Sequence, residues 1–125
     1  MPNQLNEKDK LVKKVQQAAE GLLSKKALDI KAHLVSGATL IADAFVFCSA
    51  NSAVHLKAVA NGAREWMRDG GYEILRVEGD HQSGWLILDY GDVIIHIFRA
   101  EARAFYELDK LWADTPEIPL ALDIN

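Results

Sequence analysis

Apolar residues between positions 6 and 27 fall at Leu11, Val12, Val15, Ala19, Leu22 and Leu23, the spacing of one helix face. Asn6 can cap that helix, and Glu7 and Asp9 sit near the positive end of its dipole. Gly21 weakens its last turns. A thinner apolar run over 27–35 predicts a strand, followed by Ser36-Gly37-Ala38-Thr39 as a loop. D-A-F-V-F-C-S-A over 43–50 is continuously apolar, aromatic and branched, the composition of a strand buried on both faces. A second helix starts at Asn51 or Ser52, carries Leu56, Val59, Ala63, Trp66 and Met67 as its buried stripe, and stops at Gly70-Gly71. Residues 72–78 predict a strand and 79–84 a polar loop. A last helix is expected over 101–112, with Phe105, Leu108, Leu111 and Trp112 on its apolar side. Pro116 and Pro119 then break helix and predict an extended or loosely held tail.

The pattern centres on residues 85–98, W-L-I-L-D-Y-G-D-V-I-I-H-I-F, two apolar runs of strand length split by Tyr90-Gly91. Glycine supplies the positive φ that a two-residue hairpin loop needs. With Tyr90-Gly91 as the loop, Asp89 faces Asp92, Ile87 faces Ile94 and Trp85 faces His96. Strand alternation puts these six and Phe98 on one face, and Leu86, Leu88, Val93, Ile95 and Ile97 on the other. The second set is core. The first, acidic at its tip and aromatic further in, is where function is expected.

The element order α, β, β, α, β, β, β, α predicts an α/β (α+β) domain: a mixed sheet of about five strands with helices packed on it. A right-handed crossover from the 43–50 strand through the second helix to the 72–78 strand supplies the parallel pair, and the hairpin an antiparallel one. One domain over residues 1–116 with a tail at 117–125 accounts for the chain.

Composition narrows the chemistry. The chain has 125 residues, a formal net charge of −4 and one cysteine. No apolar run reaches the roughly 20 residues a membrane helix needs, and no secretory leader is visible, so a cytoplasmic setting is expected. Lys10, Lys13, Lys14, Lys25 and Lys26 are the only dense cationic group. Little direct contact with nucleic acid follows, and an acidic chain suits a basic partner. Cys48, inside an apolar strand, reads as a small packed hydrophobe.

His33, His55, His81 and His96 lie too far apart for a structural zinc site, and no phosphate-binding glycine motif is present. Ser49, Ser52, Asp89 and His96 carry no nucleophile-elbow pattern. Two carboxylates on one sheet face, Asp89 and Asp92, could hold Mg²⁺ for nucleotidyl transfer, the enzymatic alternative. Aspartate is also a common turn residue, and facing like charges need donors or a basic partner.

R-V-E-G from Arg76, the 85–98 run, E-A-R-A-F-Y-E-L-D-K-L-W-A-D-T-P from Glu101 and D-A-F-V-F-C-S-A-N-S from Asp43 together resemble the ribosomal silencing factor family RsfS, also called Iojap. The resemblance spans residues 28–116. It implies a nucleotidyltransferase-like fold without that activity and without a cofactor, a homodimer, and a place on the large ribosomal subunit. There it implies binding to large-subunit ribosomal protein fourteen, exclusion of the small subunit, and repressed translation when nutrients are scarce. Trp85, Asp89, Tyr90, Gly91 and Asp92 match the family's hairpin and are the expected partner contact. His96, Glu101, Arg103 and Tyr106 match further positions, for the partner or the dimer. Ala44, where many members have an aromatic, and Ala50, where glycine is usual, depart from the pattern.

Overall fold

A computed structural model describes residues 6–80, 82–105 and 107–122. Helix α1 (Glu7–Leu23) leads into strands β1 (Leu28–Leu34) and β2 (Ala44–Ala50). Helix α2 (Ala53–Asp69) follows, then β3 (Arg76–Asp80), β4 (Trp85–Asp89), β5 (Val93–Arg99) and the short α3 (Ala100–Phe105). A 3₁₀ helix at Leu108–Trp112 ends the regular structure. The Asn6 side chain accepts from the Asp9 N–H, and the Ser52 hydroxyl from the His55 N–H, so both long helices start on capped turns. No helix among the described residues is long and apolar enough to cross a membrane.

The sheet runs β1-β2-β5-β4-β3 and is mixed, as expected. Its parallel pair differs from the expectation: β2 lies beside β5, and β3 sits at the far edge. The cause is composition. β2 is buried at every position and β5 at all but His96 and Arg99, so these two strands take the centre, whereas β3 (R-V-E-G-D) is exposed throughout. β3 also begins later than predicted, at Arg76, and continues through Gly79 and Asp80.

Both long helices cover one face of the sheet. Leu11, Val15, Ala18 and Leu22 of α1, with Leu56, Val59, Ala60, Ala63 and Met67 of α2, close over Val46, Cys48, Leu86, Leu88, Val93, Ile95 and Ile97. Cys48 is fully buried here, and burial pushes its thiol pKa up, as befits a packed hydrophobe. The opposite face carries a second, smaller cluster of Val35, Ala42, Phe45, Phe47, Ile94 and Phe98, with Ile87 and Trp112 against it.

At the C-terminal end one sequence expectation fails and another, the extended or loosely held tail, holds in its first form only. The 101–112 helix is broken: α3 stops at Phe105, Glu107 is left-handed (φ 50°), and the 3₁₀ helix restarts from it. The break lets Trp112 reach Phe45, ring centroids 4.8 Å apart and perpendicular, while Leu111 stays 65% exposed. Tyr106 and His81 lie outside the described residues, as do the side chains of Phe105 and Leu108. The tail is extended but not loose. Leu34 N–H bonds to Pro116 O (2.8 Å), Ile118 N–H to Ala32 O (2.8 Å), Ile118 is buried, and Gln16 of α1 holds Ala121 at both its N–H and its C=O.

Gly21 is more than a weak helix residue. A Cβ there would lie 2.7 Å from Trp66 Cβ and 2.9 Å from Ala63 Cα, so α1 and α2 cross backbone to backbone. Gly21→Ala should therefore destabilise by about 1–3 kcal/mol through overpacking, despite the roughly 1 kcal/mol helix-propensity gain. Urea unfolding followed by circular dichroism checks this; a stabilised variant would mean that the helices move apart freely.

Candidate functional site

Trp85 pairs with Phe98, Ile87 with His96 and Asp89 with Ile94, so the hairpin register is two residues away from the expected one. The turn is Gly91-Asp92: Tyr90 N–H bonds to Val93 O at 2.9 Å, and Gly91 takes φ +90° at the first turn position. A shift of two preserves the side-chain faces along both strands. The tip changes. Asp89 and Asp92 do not face each other. Asp89 accepts from Gly91 N–H (2.8 Å) and meets Arg76 Nε (3.3 Å), whereas Asp92 reaches Lys14 Nζ of α1 (2.6 Å). The same ammonium donates to Tyr90 O at 2.8 Å.

Each acid thus has its own cation, and the shared Mg²⁺ arrangement of the enzymatic alternative is not formed. Among the described residues no group of three metal-ligating side chains gathers anywhere. Tyr90 also departs from its expected part. It continues the Leu86, Leu88 alternation onto the helix side and is only 4% exposed, so its ring is core and not a surface anchor. Gly91 is half-buried and Asp92 exposed, and together they form the accessible tip.

Trp85 stands at the surface, 43% exposed, beside an apolar cleft of about 650 Å³ lined by Gly79, Ser83, Ile87, Phe98, Ala102 and Leu111. Its indole N–H donates to His96 Nδ1 at 3.3 Å, and its ring lies 5.3 Å from Phe98. Glu78 and Asp80, both exposed, pair across β3–β4 with Ile87 and Trp85, so they share this face and form an acidic rim. Sequence reasoning missed both: it ended a strand at Glu78 without pairing it to the hairpin, and it placed Asp80 in a loop over 79–84.

His96 is stacked on Phe47 (5.4 Å) and edge-on to Phe45 (4.7 Å), and burial lowers its pKa from 6.5 to about 4. Since Trp85 donates to Nδ1, the neutral ring carries its proton on Nε2, which is buried without a partner among the described residues. Glu101 is exposed and paired with Arg99 (3.2 Å). Arg103, by contrast, is a buried tie. It donates to Asp29 O (2.9 Å), Ser49 Oγ (3.0 Å) and both oxygens of Asp109 (2.8 and 3.2 Å), fastening α3 to β1, β2 and the 3₁₀ helix. The Arg103 guanidinium holds the Asp109 carboxyl below its usual range. His96 and Arg103 therefore organise the interior, leaving Glu101 as the surface residue among the described members of that set.

With this geometry in view, comparison with known proteins is specific. The family model described as "Ribosomal silencing factor during starvation" matches residues 8–125. A ribosomal silencing factor RsfS of Halalkalibacterium halodurans is 39% identical over 106 residues, 85% of this chain and 91% of its own length. The Bacillus subtilis protein of that name is 34% identical over 108 residues, 86% and 92% of the two chains. A crystal structure from Bacillus halodurans superposes with a TM-score of 0.72 at 36% identity, covering 85% of this chain and 96% of that one.

The buried imidazole gives a pH signature. Between pH 6.5 and about 4 the unfolded chain binds a proton at His96 that the folded chain refuses, so stability falls as pH drops through that window. The loss from this group reaches about 3 kcal/mol and stops below its folded pKa. His96→Phe should flatten that part of the stability–pH curve relative to the parent in denaturant titrations at pH 7 and 4.5. Parallel curves would place the proton elsewhere.

Proposed function

This chain belongs to the ribosomal silencing factor family, and on that premise we propose that it docks on the large ribosomal subunit through large-subunit ribosomal protein fourteen and keeps the small subunit from joining. Translation is thereby repressed under nutrient limitation. In this reading the protein is a regulator and not an enzyme, acts in the cytoplasm, touches little nucleic acid and works as a homodimer.

The observation that carries the reading is Trp85. Tryptophan is among the residues that dominate interface energy, and burying it fully is strongly favourable. Here it is left half in water at the mouth of an apolar cleft, already oriented by its bond to His96, so little rotamer freedom remains to be lost on docking. Glu78 and Asp80 surround it with negative charge suited to a lysine- and arginine-rich partner. The Gly91-Asp92 tip and Glu101 extend the contact at either end, while Asp89 and Tyr90 support the tip from within.

Trp85→Ala should weaken co-sedimentation with isolated large subunits by about 2 kcal/mol, roughly thirtyfold, with the fold intact by circular dichroism. Glu78→Lys with Asp80→Lys should slow association and reduce its salt dependence. The same variants should let 70S particles re-form when small subunits are added. Undiminished co-sedimentation of folded Trp85→Ala would rule out this face.

A further inference from the structure

On the helix side of the sheet, under the hairpin tip, a second cleft of about 470 Å³ is lined by Arg64, Arg68, Glu73, Ile74 and Tyr90. Arg64 and Arg68 are one turn apart on α2, so both guanidinia lie on the same strip of helix. Both are exposed, and neither forms an ion pair among the described residues, although Glu65, Asp69 and Glu73 are near in sequence. The other three arginines, Arg76, Arg99 and Arg103, each pair with a carboxylate among the described residues, and these two do not. The third group is Tyr90. Its ring is core, yet its hydroxyl makes no hydrogen bond among the described residues and is not sealed from solvent, while its backbone is pinned by Val93 and Lys14.

We propose that this cleft binds a phosphorylated small molecule, a sugar phosphate or nucleotide, whose phosphate is held by Arg64 and Arg68 with the Tyr90 hydroxyl donating to it. Two arginine forks and a phenol supply the charge-assisted donors that a phosphate's oxygens accept. Glu73, the carboxylate in the lining, accepts from a hydroxyl or amine on the rest of the ligand, and Ile74 gives that part an apolar wall. The volume favours a mononucleotide-sized guest over bare phosphate. The concavity and the overall charge of −4 favour a small ligand over an RNA backbone, which needs cations spread along a surface. This site lies on the opposite side of the sheet from the Trp85 face, and ligand capture there needs no ribosome.

Calorimetric titration of the free full-length protein with ribose 5-phosphate, AMP, adenosine and a twelve-nucleotide single-stranded RNA tests the proposal. Saturable binding of ribose 5-phosphate or AMP, with none of adenosine, is expected. Arg64→Gln with Arg68→Gln should weaken it at least tenfold, and Tyr90→Phe, which keeps the core ring, about threefold. Both sets of changes leave the packed interior unaltered, which circular dichroism verifies. Absence of saturable binding by both phosphorylated probes, undiminished binding in the double variant, or preference for the RNA over both would each overturn it. None of these outcomes bears on co-sedimentation through Trp85.

Discussion

The contact between β2 and β5 is the constraint from which the rest of the arrangement follows. Seven residue pairs run in parallel from Ala44–Val93 to Ala50–Arg99, and nearly every side chain along them is shielded from water. Val46, Cys48, Val93, Ile95 and Ile97 are wholly buried on the helix side, each large apolar group contributing on the order of 1.5–3 kcal/mol. Two such strands must sit side by side in the middle, with a layer on each face. α1 and α2 supply one layer; Phe45, Phe47, Phe98 and Trp112 supply the other. The strands with a wet face, β1 and β3, are left for the edges.

That constraint also explains which parts of the fold were legible in the residues. Helix caps at Asn6 and Ser52, the apolar face of the hairpin and the order of elements depend on local spacing, and they emerge from it. Strand neighbours depend on competition among strands for burial, which no local window contains. The charge-rich R-V-E-G-D of β3, with Val77 its one large apolar residue, was nevertheless a sign of an edge. The final helix broke at a left-handed Glu107, a residue with no particular taste for that conformation, where the gain is Trp112 closing the aromatic cluster. Ile118 was the one apolar residue between two prolines that could have announced a docked tail.

The site was partly readable for similar reasons. Trp85 and His96 come together because alternation survives a two-residue slip, whereas the two aspartates do not, since the tip is where a slip changes everything. Lys14 of α1 decides the tip: its ammonium, 76 and 78 residues distant in sequence from its acceptors, binds Tyr90 O and Asp92 at once. An interaction between such remote residues leaves no periodic trace. The result is a sheet with two unlike sides at the same hairpin, an aromatic, acid-rimmed face carrying Trp85 and a helix-covered face from which only the edge of Tyr90 emerges.

The C-terminal strap has a geometrical corollary. By laying Pro116 and Ile118 along β1, with a bridge from His33 to Glu117, it covers the Ala32–Leu34 end of one margin of the sheet and, among the described residues, leaves the other, β3, bare. Sheet continuation between copies is therefore blocked at the Ala32–Leu34 end of β1 by Pro116–Ile118, and the rim left for it is β3, whose charged residues Arg76, Glu78 and Asp80 discourage indiscriminate pairing.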